Sequence, residues 1–171
     1  GRYLVLSELG HGGMGVVYRA WDPAMARLVA IKTLTEGPHA SPELIQRFVI
    51  EARSSARLQH PGIIGVYEVG EHQGIHFIAM DLVAGQNLKQ HLTKGMASRD
   101  ALELIRQVAL ALAHAHAHGI VHRDVKPDNV VVNDEGRAIL MDFGLAKDLG
   151  QSGSLTATGQ HLGTPTYMAP E

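Results

Sequence analysis

A chain of 171 residues has the length of one domain, and 45% hydrophobic with 19% charged residues is a globular composition, not that of a disordered tail or a collagen-like repeat. It contains no cysteine, which excludes a disulfide framework, a thiol nucleophile and a Cys-ligated metal, and suits a reducing compartment. With 15 basic and 17 acidic residues the net charge is −2, so no basic footprint for nucleic acid is present. The apolar runs are too short to span a membrane and Gly1-Arg2-Tyr3 does not begin a signal peptide, so a soluble, cytoplasmic domain with no membrane contact of its own is expected.

The first 34 residues read as β-structure: 3–9, 16–21 and 28–34 are rich in aliphatic and aromatic residues, separated by glycines and by Asp22-Pro23. Ser41-Pro42-Glu43 predicts a helix start, with a cap hydroxyl, a proline at the first helical position and an acid in the first turn. That helix should run to about Leu58, before His60-Pro61-Gly62. Two further strands are expected at 63–69 and 75–82, joined by a glycine-containing turn, and Gly85 punctuates. Ser98 is expected to cap a second long helix, with Asp100 in its first turn, ending near Gly119. Residues 130–132, the turn Asn133-Asp134-Glu135-Gly136 and residues 138–141 predict a short hairpin. From Gly150 the chain is rich in Gly, Ser and Thr, which predicts a flexible segment. The organisation therefore divides near Gly85.

Gly10-His-Gly-Gly-Met-Gly15 fits G-x-G-x-x-G through Gly10, Gly12 and Gly15. Such a loop lets backbone N–H groups approach phosphates without Cβ interference, and it equally describes a glycine-rich hairpin. A dinucleotide-binding fold would need a helix directly after the last glycine, whereas Val16-Val17-Tyr18 favours a strand. In the strand at 28–34, period two places Leu28, Ala30, Lys32 and Leu34 on one face, and a lysine there is costly unless it meets an anion. Glu51 falls on the same helical stripe as Leu44, Phe48 and Leu58. An inward lysine and an inward glutamate are expected to pair with each other.

His122-Arg-Asp-Val-Lys-Pro-Asp-Asn129 packs charged side chains and an amide between apolar stretches, and Asp142-Phe-Gly144 follows the hairpin. Folding back through that hairpin brings Asn129 and Asp142 together at its open end. Two oxygen-bearing side chains so placed suit Mg²⁺, which takes carboxylates together with phosphate oxygens and water. Asp124, on the same loop, is a candidate base.

These elements, in this order, resemble the protein-kinase signature set: the Gly-rich loop with Val17, Val29-Ala-Ile-Lys32, a helix glutamate, His122-Arg-Asp124, Asn129, Asp142-Phe-Gly144 and Ala169-Pro-Glu171. The form Gly-x-Gly-Gly-Met-Gly-x-Val-Tyr-x-Ala most resembles bacterial eukaryote-like (Hanks-type) Ser/Thr kinases. The resemblance covers essentially the whole chain. It implies an α+β, two-lobed fold, with an antiparallel-sheet N-lobe carrying one helix over 1–84 and the first part of a mainly helical C-lobe over 85–171. It implies ATP and Mg²⁺, with protein Ser/Thr hydroxyls as acceptors, and a second kinase domain as a potential partner.

By matching position, the resemblance implies that the Gly10–Gly15 loop covers the ATP phosphates and that Lys32, held by Glu51, contacts the α- and β-phosphates. Asn129 and Asp142 would hold Mg²⁺, Asp124 would orient the substrate hydroxyl and accept its proton, and Lys126 would neutralise the γ-phosphate. Val17, Ala30 and Val131 would sandwich the adenine. Met80 matches the gatekeeper, and Asp81 to Val83 match the hinge, which bonds adenine through its backbone. Thr156 and Thr158 match activating phosphorylation sites, and Thr164 matches a position that helps hold the catalytic aspartate and substrate.

His114, His116 and His118 look like a metal run, but alternate helical residues lie about 200° apart and cannot converge on one ion. His122 is expected to be structural, packing near Phe143. The family's domain continues past Ala-Pro-Glu, so the chain reads as truncated after that motif, its parent open to a membrane anchor downstream. The helix from Ser98 is apolar around most of its circumference and expects burial on several sides. In the family a helix beyond Ala-Pro-Glu covers one of those sides, so this chain alone is expected to leave an apolar patch there. An active Ser/Thr kinase is therefore weighed against an inert fragment that only binds nucleotide or a partner.

Overall fold

The computed structural model describes residues 2–12, 15–143, 147–148 and 164–167. They form two compact units, one built from 1–56 and 65–82, the other from 57–64 and 83–171. Thr156, Thr158 and Ala169-Pro-Glu171 lie outside the described residues, as does Gly144.

The first unit is a five-stranded antiparallel sheet in the order β1-β2-β3-β5-β4, formed by β1 (Leu4–Gly12), β2 (Gly15–Asp22), β3 (Arg27–Leu34), β4 (Val66–His72) and β5 (Ile75–Asp81). The β-branched and aromatic composition of β2, β3 and β5 suits strands packed on both faces. On one face Ala20, Val29, Ile31 and Ala79 pack beneath Tyr3, Tyr18 and Phe77. On the other, Leu34 and Ile78 pack against Phe48 and Ala52 of α1 (Pro42–Ala56). The start of α1 is as expected: the Ser41 hydroxyl accepts from the Leu44 N–H at 3.3 Å, and Pro42 opens the helix. Its end is not, because Leu58 lies beyond the last turn and packs in the second unit with Ile63 and Leu140. The strand expected at 63–69 begins only at Val66; Ile63 and Ile64 instead bridge to Leu140 in the second unit.

In the second unit, β6 (Gly85–Asn87) leads into α2 (Leu88–Thr93), a short helix that the sequence reading passed over. A capping box holds its start, the Asn87 side chain accepting from the Gln90 N–H while the Gln90 side chain accepts from the Asn87 N–H. The long helix α3 (Ser98–Ala117) starts as predicted, but Ala97 is its N-cap and no side chain caps it. Ser98 is already helical, so its hydroxyl is one residue too late for the cap role.

β7 (Ile120–Val121) follows α3, and β8 (Val130–Asn133) pairs with β9 (Ala138–Leu140) as the expected hairpin. β10 (Lys147–Asp148) pairs back with β7. Leu104, Ala111 and Ala115 of α3 pack with Ile120, Val130, Leu140 and Phe143 into one core. One apolar side of α3 is uncovered among the described residues, where Leu102, Ile105 and Leu110 stand exposed. Among the described residues, no helix is long and apolar enough to cross a membrane.

Candidate active site

β1 and β2 form a hairpin whose register runs to the pair Gly12↔Gly15, so the glycine loop closes two adjacent strands. The three glycines do different things. A Cβ on Gly15 would lie 2.1 Å from the Thr33 carbonyl oxygen, so close strand approach requires that glycine. Gly10 and Gly12 have open space where a Cβ would sit, leaving their backbone accessible.

The register Val17↔Lys32↔Ile78 and Arg19↔Ala30↔Met80 puts Val17, Ala30, Lys32 and Met80 on one face of the sheet. Lys32 is buried there at 7% exposure, and its ammonium meets the Glu51 carboxylate at 3.0 Å. The inward lysine and inward glutamate therefore do pair, strand to helix. The even-numbered face is only half of the story of β3, because Val29 and Ile31 on its other face are equally buried. Asp81 ends β5 opposite Val29. Leu82 and Val83 mark the passage of the chain from the first unit to the second.

The second unit carries the His122–Asn129 loop and the residues that surround it. The Asp124 carboxylate receives the Thr164 hydroxyl at Oδ1 (2.7 Å) and the Lys126 ammonium at Oδ2 (2.7 Å), while Lys126 also donates to Thr164 at 2.9 Å. Asn129 Nδ2 donates to the Asp124 backbone carbonyl at 2.8 Å and to Oδ2 at 3.2 Å. Burial pushes the Asp124 carboxyl up, but the Lys126 and Thr164 hydrogen bonds, the lysine charge and the Asn129 amide outweigh it. The group is held below the ordinary carboxylate range.

Asn129 and Asp142 are brought together by the hairpin, with the Val130↔Leu140 pair and a 2.8 Å bond from the Met141 N–H to the Asn129 carbonyl. With Nδ2 committed to Asp124, the amide oxygen is what Asn129 can offer a hard cation, and Asp142 adds an exposed carboxylate. The donor set thus fits Mg²⁺. Arg123 and Asp142 both have positive φ, 67° and 53°, a conformation that costs a non-glycine residue roughly 1–2 kcal/mol. Two of the four non-glycine residues with positive φ among the described residues thus lie where the polar side chains converge, the others being Ala26 and Gln73 in turns of the first unit. Val131 lies within β8, paired with Ile139 and Asn87.

His122 is 1% exposed, its ring 4.6 Å from that of Phe143 and its Nε2 2.9 Å from the Met141 carbonyl. Burial depresses its basicity, only partly offset by the Met141 bond and the nearby carboxylates. It is the structural residue expected, bracing the segment that ends at Asp142. Sequence reasoning missed Lys89 of α2, whose ammonium meets Asp128 of the His122–Asn129 loop at 2.9 Å. The Asn87-x-x-Gln90 capping signature was the available signal for that helix. It also missed the side-chain partners of Asp81.

The first unit thus carries a strand-borne lysine paired with a helix glutamate beside a glycine hairpin, and the second an Asp-Lys-Asn-Thr network. The description "Protein kinase domain" matches residues 3–171, and the chain belongs to that family. It is 42% identical over 177 residues to the probable serine/threonine-protein kinase pknA2 of Bifidobacterium longum, covering 100% of this chain and 23% of that protein. It is 41% identical over 178 residues to the serine/threonine-protein kinase PknA of Mycobacterium tuberculosis, covering 100% of this chain and 41% of that one. The solved Mycobacterium tuberculosis PknI kinase domain superposes with a TM-score of 0.73 and 38% identity, covering 85% of this chain and 61% of that domain. The chain thus spans less than half the length of these curated relatives. Its fold is the protein-kinase α+β fold, and use of ATP with a divalent metal is general in that family.

Proposed function

We propose that the protein carrying this chain transfers the γ-phosphoryl group of ATP to Ser and Thr hydroxyls of protein substrates. The observation that carries this reading is the Asp124–Lys126–Asn129–Thr164 network, in which one carboxylate is fixed by three neighbours and kept ionised. An ionised carboxylate can accept a hydrogen bond from an incoming hydroxyl and so orient it. Because Asp124 holds a proton weakly, it takes the proton late, once the attacking oxygen is bonding to phosphorus and has become acidic. Lys126 offsets negative charge on the transferred group, and the bond to the leaving ADP oxygen breaks.

Gly10, Gly12 and Gly15 form the phosphate-covering hairpin, and Lys32, braced by Glu51, positions the α- and β-phosphates. Val17, Ala30, Met80 and Val131 supply apolar contacts to the adenine, and the backbone of Asp81 and Val83 bonds its polar edge. Asn129 and Asp142 would hold Mg²⁺, which supplies charge neutralisation to the phosphates. Thr156 and Thr158 are proposed as regulatory phosphorylation sites, since a phosphate adds about −1.5 to −2 charge and can order a segment beside basic side chains.

The test is ATP-dependent labelling of a generic Ser- and Thr-containing protein by the full-length protein and its Asp124→Asn variant. We expect the substitution to lower turnover by about 10²–10⁴-fold while ATP binding persists. A full-length wild type that binds ATP but labels nothing would establish a nucleotide-binding module instead.

A further inference from the structure

Asp81 is the last residue of β5 and the first of the segment proposed to read adenine, and its side chain is already occupied. Oδ2 accepts from the Gly65 N–H at 2.8 Å, and Oδ1 accepts from the Tyr67 hydroxyl. The Asp81 N–H in turn donates to the Gly65 carbonyl at 2.9 Å, so Gly65 holds Asp81 by backbone and side chain together.

Two independent features of the chain serve this arrangement. β4 pairs with β5 at Val66↔Met80 and next at Glu68↔Ala79, which makes Tyr67 the extra residue of a β-bulge. A bulge re-aims its side chain, and here the phenol is turned to the Asp81 carboxylate. A Cβ on residue 65 would lie 2.5 Å from Asp81 Oδ2, so only glycine leaves room for the carboxylate. The Tyr67 ring is covered by Arg27, whose guanidinium carbon lies 3.4 Å from the ring centroid. The Tyr67 hydroxyl stays a donor: burial and the Asp81 carboxylate push its pKa up, against a smaller opposing effect of Arg27.

We propose that Asp81 is a positioning residue for nucleotide-base selection, its carboxylate clasped by Gly65 and Tyr67 so that the backbone leaving β5 presents one fixed donor–acceptor register. This rests on the adenine-reading role given above to the backbone of Asp81 and Val83. Adenine offers an amino donor beside a ring-nitrogen acceptor, whereas guanine offers a carbonyl acceptor beside a ring N–H donor. A rigid backbone carbonyl and N–H therefore suit one base and oppose the other, and a loosened segment discriminates less.

The experiment measures kcat and KM for ATP and for GTP in the full-length protein with Asp81→Ala, Asp81→Asn, Tyr67→Phe and Gly65→Ala. We expect Asp81→Ala to raise KM for ATP about tenfold with kcat within about twofold, and to lower the ATP-over-GTP preference about fivefold or more. Asn can still accept from Gly65 and donate to the Tyr67 oxygen, so Asp81→Asn should restore both values. Tyr67→Phe keeps the ring beneath Arg27 and should show a smaller change in the same direction, as should Gly65→Ala. The conservative variants keep the test decisive should Asp81→Ala fold poorly. An active wild type whose KM and ATP-over-GTP preference are unchanged in both Asp81→Ala and Tyr67→Phe would overturn the positioning role and leave the kinase reading standing. A general loss of kcat for both nucleotides that Asp81→Asn does not rescue would overturn it as well. A wild type that neither binds ATP nor transfers phosphoryl would overturn both together.

Discussion

In the first unit Lys32 meets Glu51 at 3.0 Å with side chains 9% and 7% exposed; in the second, Lys126 meets Asp124 at 2.7 Å with side chains 23% and 17% exposed. The chemistry of the two pairs is the same and their settings are not. Lys32–Glu51 joins a central strand to α1, next to Phe48 and Ala52. Water cannot replace either partner there, so the pair is part of the packing as well as of the site. Lys126–Asp124 is partly open to solvent and shared with the Thr164 hydroxyl and the Asn129 amide. An open, multiply bonded carboxylate can exchange partners with an incoming hydroxyl, and its loss should change chemistry more than folding.

The largest effect that sharpens this contrast is expected from Glu51→Ala. Removing the carboxylate takes a close charged partner from a buried ammonium, which costs about 3–5 kcal/mol. Urea unfolding of the full-length protein should show that loss, together with loss of phosphoryl transfer. Should Glu51→Ala cost no more stability than a substitution at the open pair, the distinction drawn from burial is wrong.

Thr164→Ala comes next and should fall on the other side of the contrast. It removes the donor to Asp124 Oδ1 and the acceptor for Lys126, leaving both groups accessible to water. The expected outcome is a fall of about tenfold in kcat, with a stability change of no more than about 1 kcal/mol. Thr164→Ser keeps the hydroxyl and should retain most of the rate. Equal loss in the Ser and Ala variants would mean that the methyl packing of Thr164, not its hydrogen bonds, carries the effect.

The two pairs also differ in how much of them could be read from the sequence. Lys32–Glu51 was legible because both residues interrupt apolar patterns with clear periods, two in β3 and about 3.6 in α1. Asn129 and Asp142 were legible because a short hairpin separates them, and a hairpin returns the chain on itself. The clasp on Asp81 was not, since it depends on a bulge at Tyr67 that no alternation of residue types announces. Nor was the end of α1, where Leu58 continues the apolar spacing of the helix but is taken up by the core of the second unit. Periodicity identifies a face; it does not say which core will cover it. The cap of α3 failed for a local reason, as Ala97 and Ser98 offer adjacent positions and the backbone used the first.

The smallest effect concerns a cluster of histidine rings in the second unit. His114 of α3 lies between His60 and His118, with ring centroids 5.1 and 4.4 Å away. Two of the neighbouring nitrogens are already committed: His60 Nδ1 accepts from the Gly62 N–H, and His118 Nδ1 lies 2.8 Å from the His114 carbonyl. His114 Nε2 is shut away from solvent with no hydrogen-bond partner among the described residues. Burial lowers the pKa of His114, and the nearby His118 and His60 lower it further. The folded protein therefore holds this ring neutral at a pH where the unfolded chain would protonate it. The stability it contributes is present above the ordinary histidine pKa of about 6.5 and is lost as pH falls through the lower folded-state value. His114→Phe keeps a ring in the stack and removes the titration. Its Tm should fall less than that of the wild type between pH 7.5 and pH 5.5, while the two converge at the alkaline end. Parallel Tm curves across that range would show that the imidazole stack does not contribute to acid sensitivity.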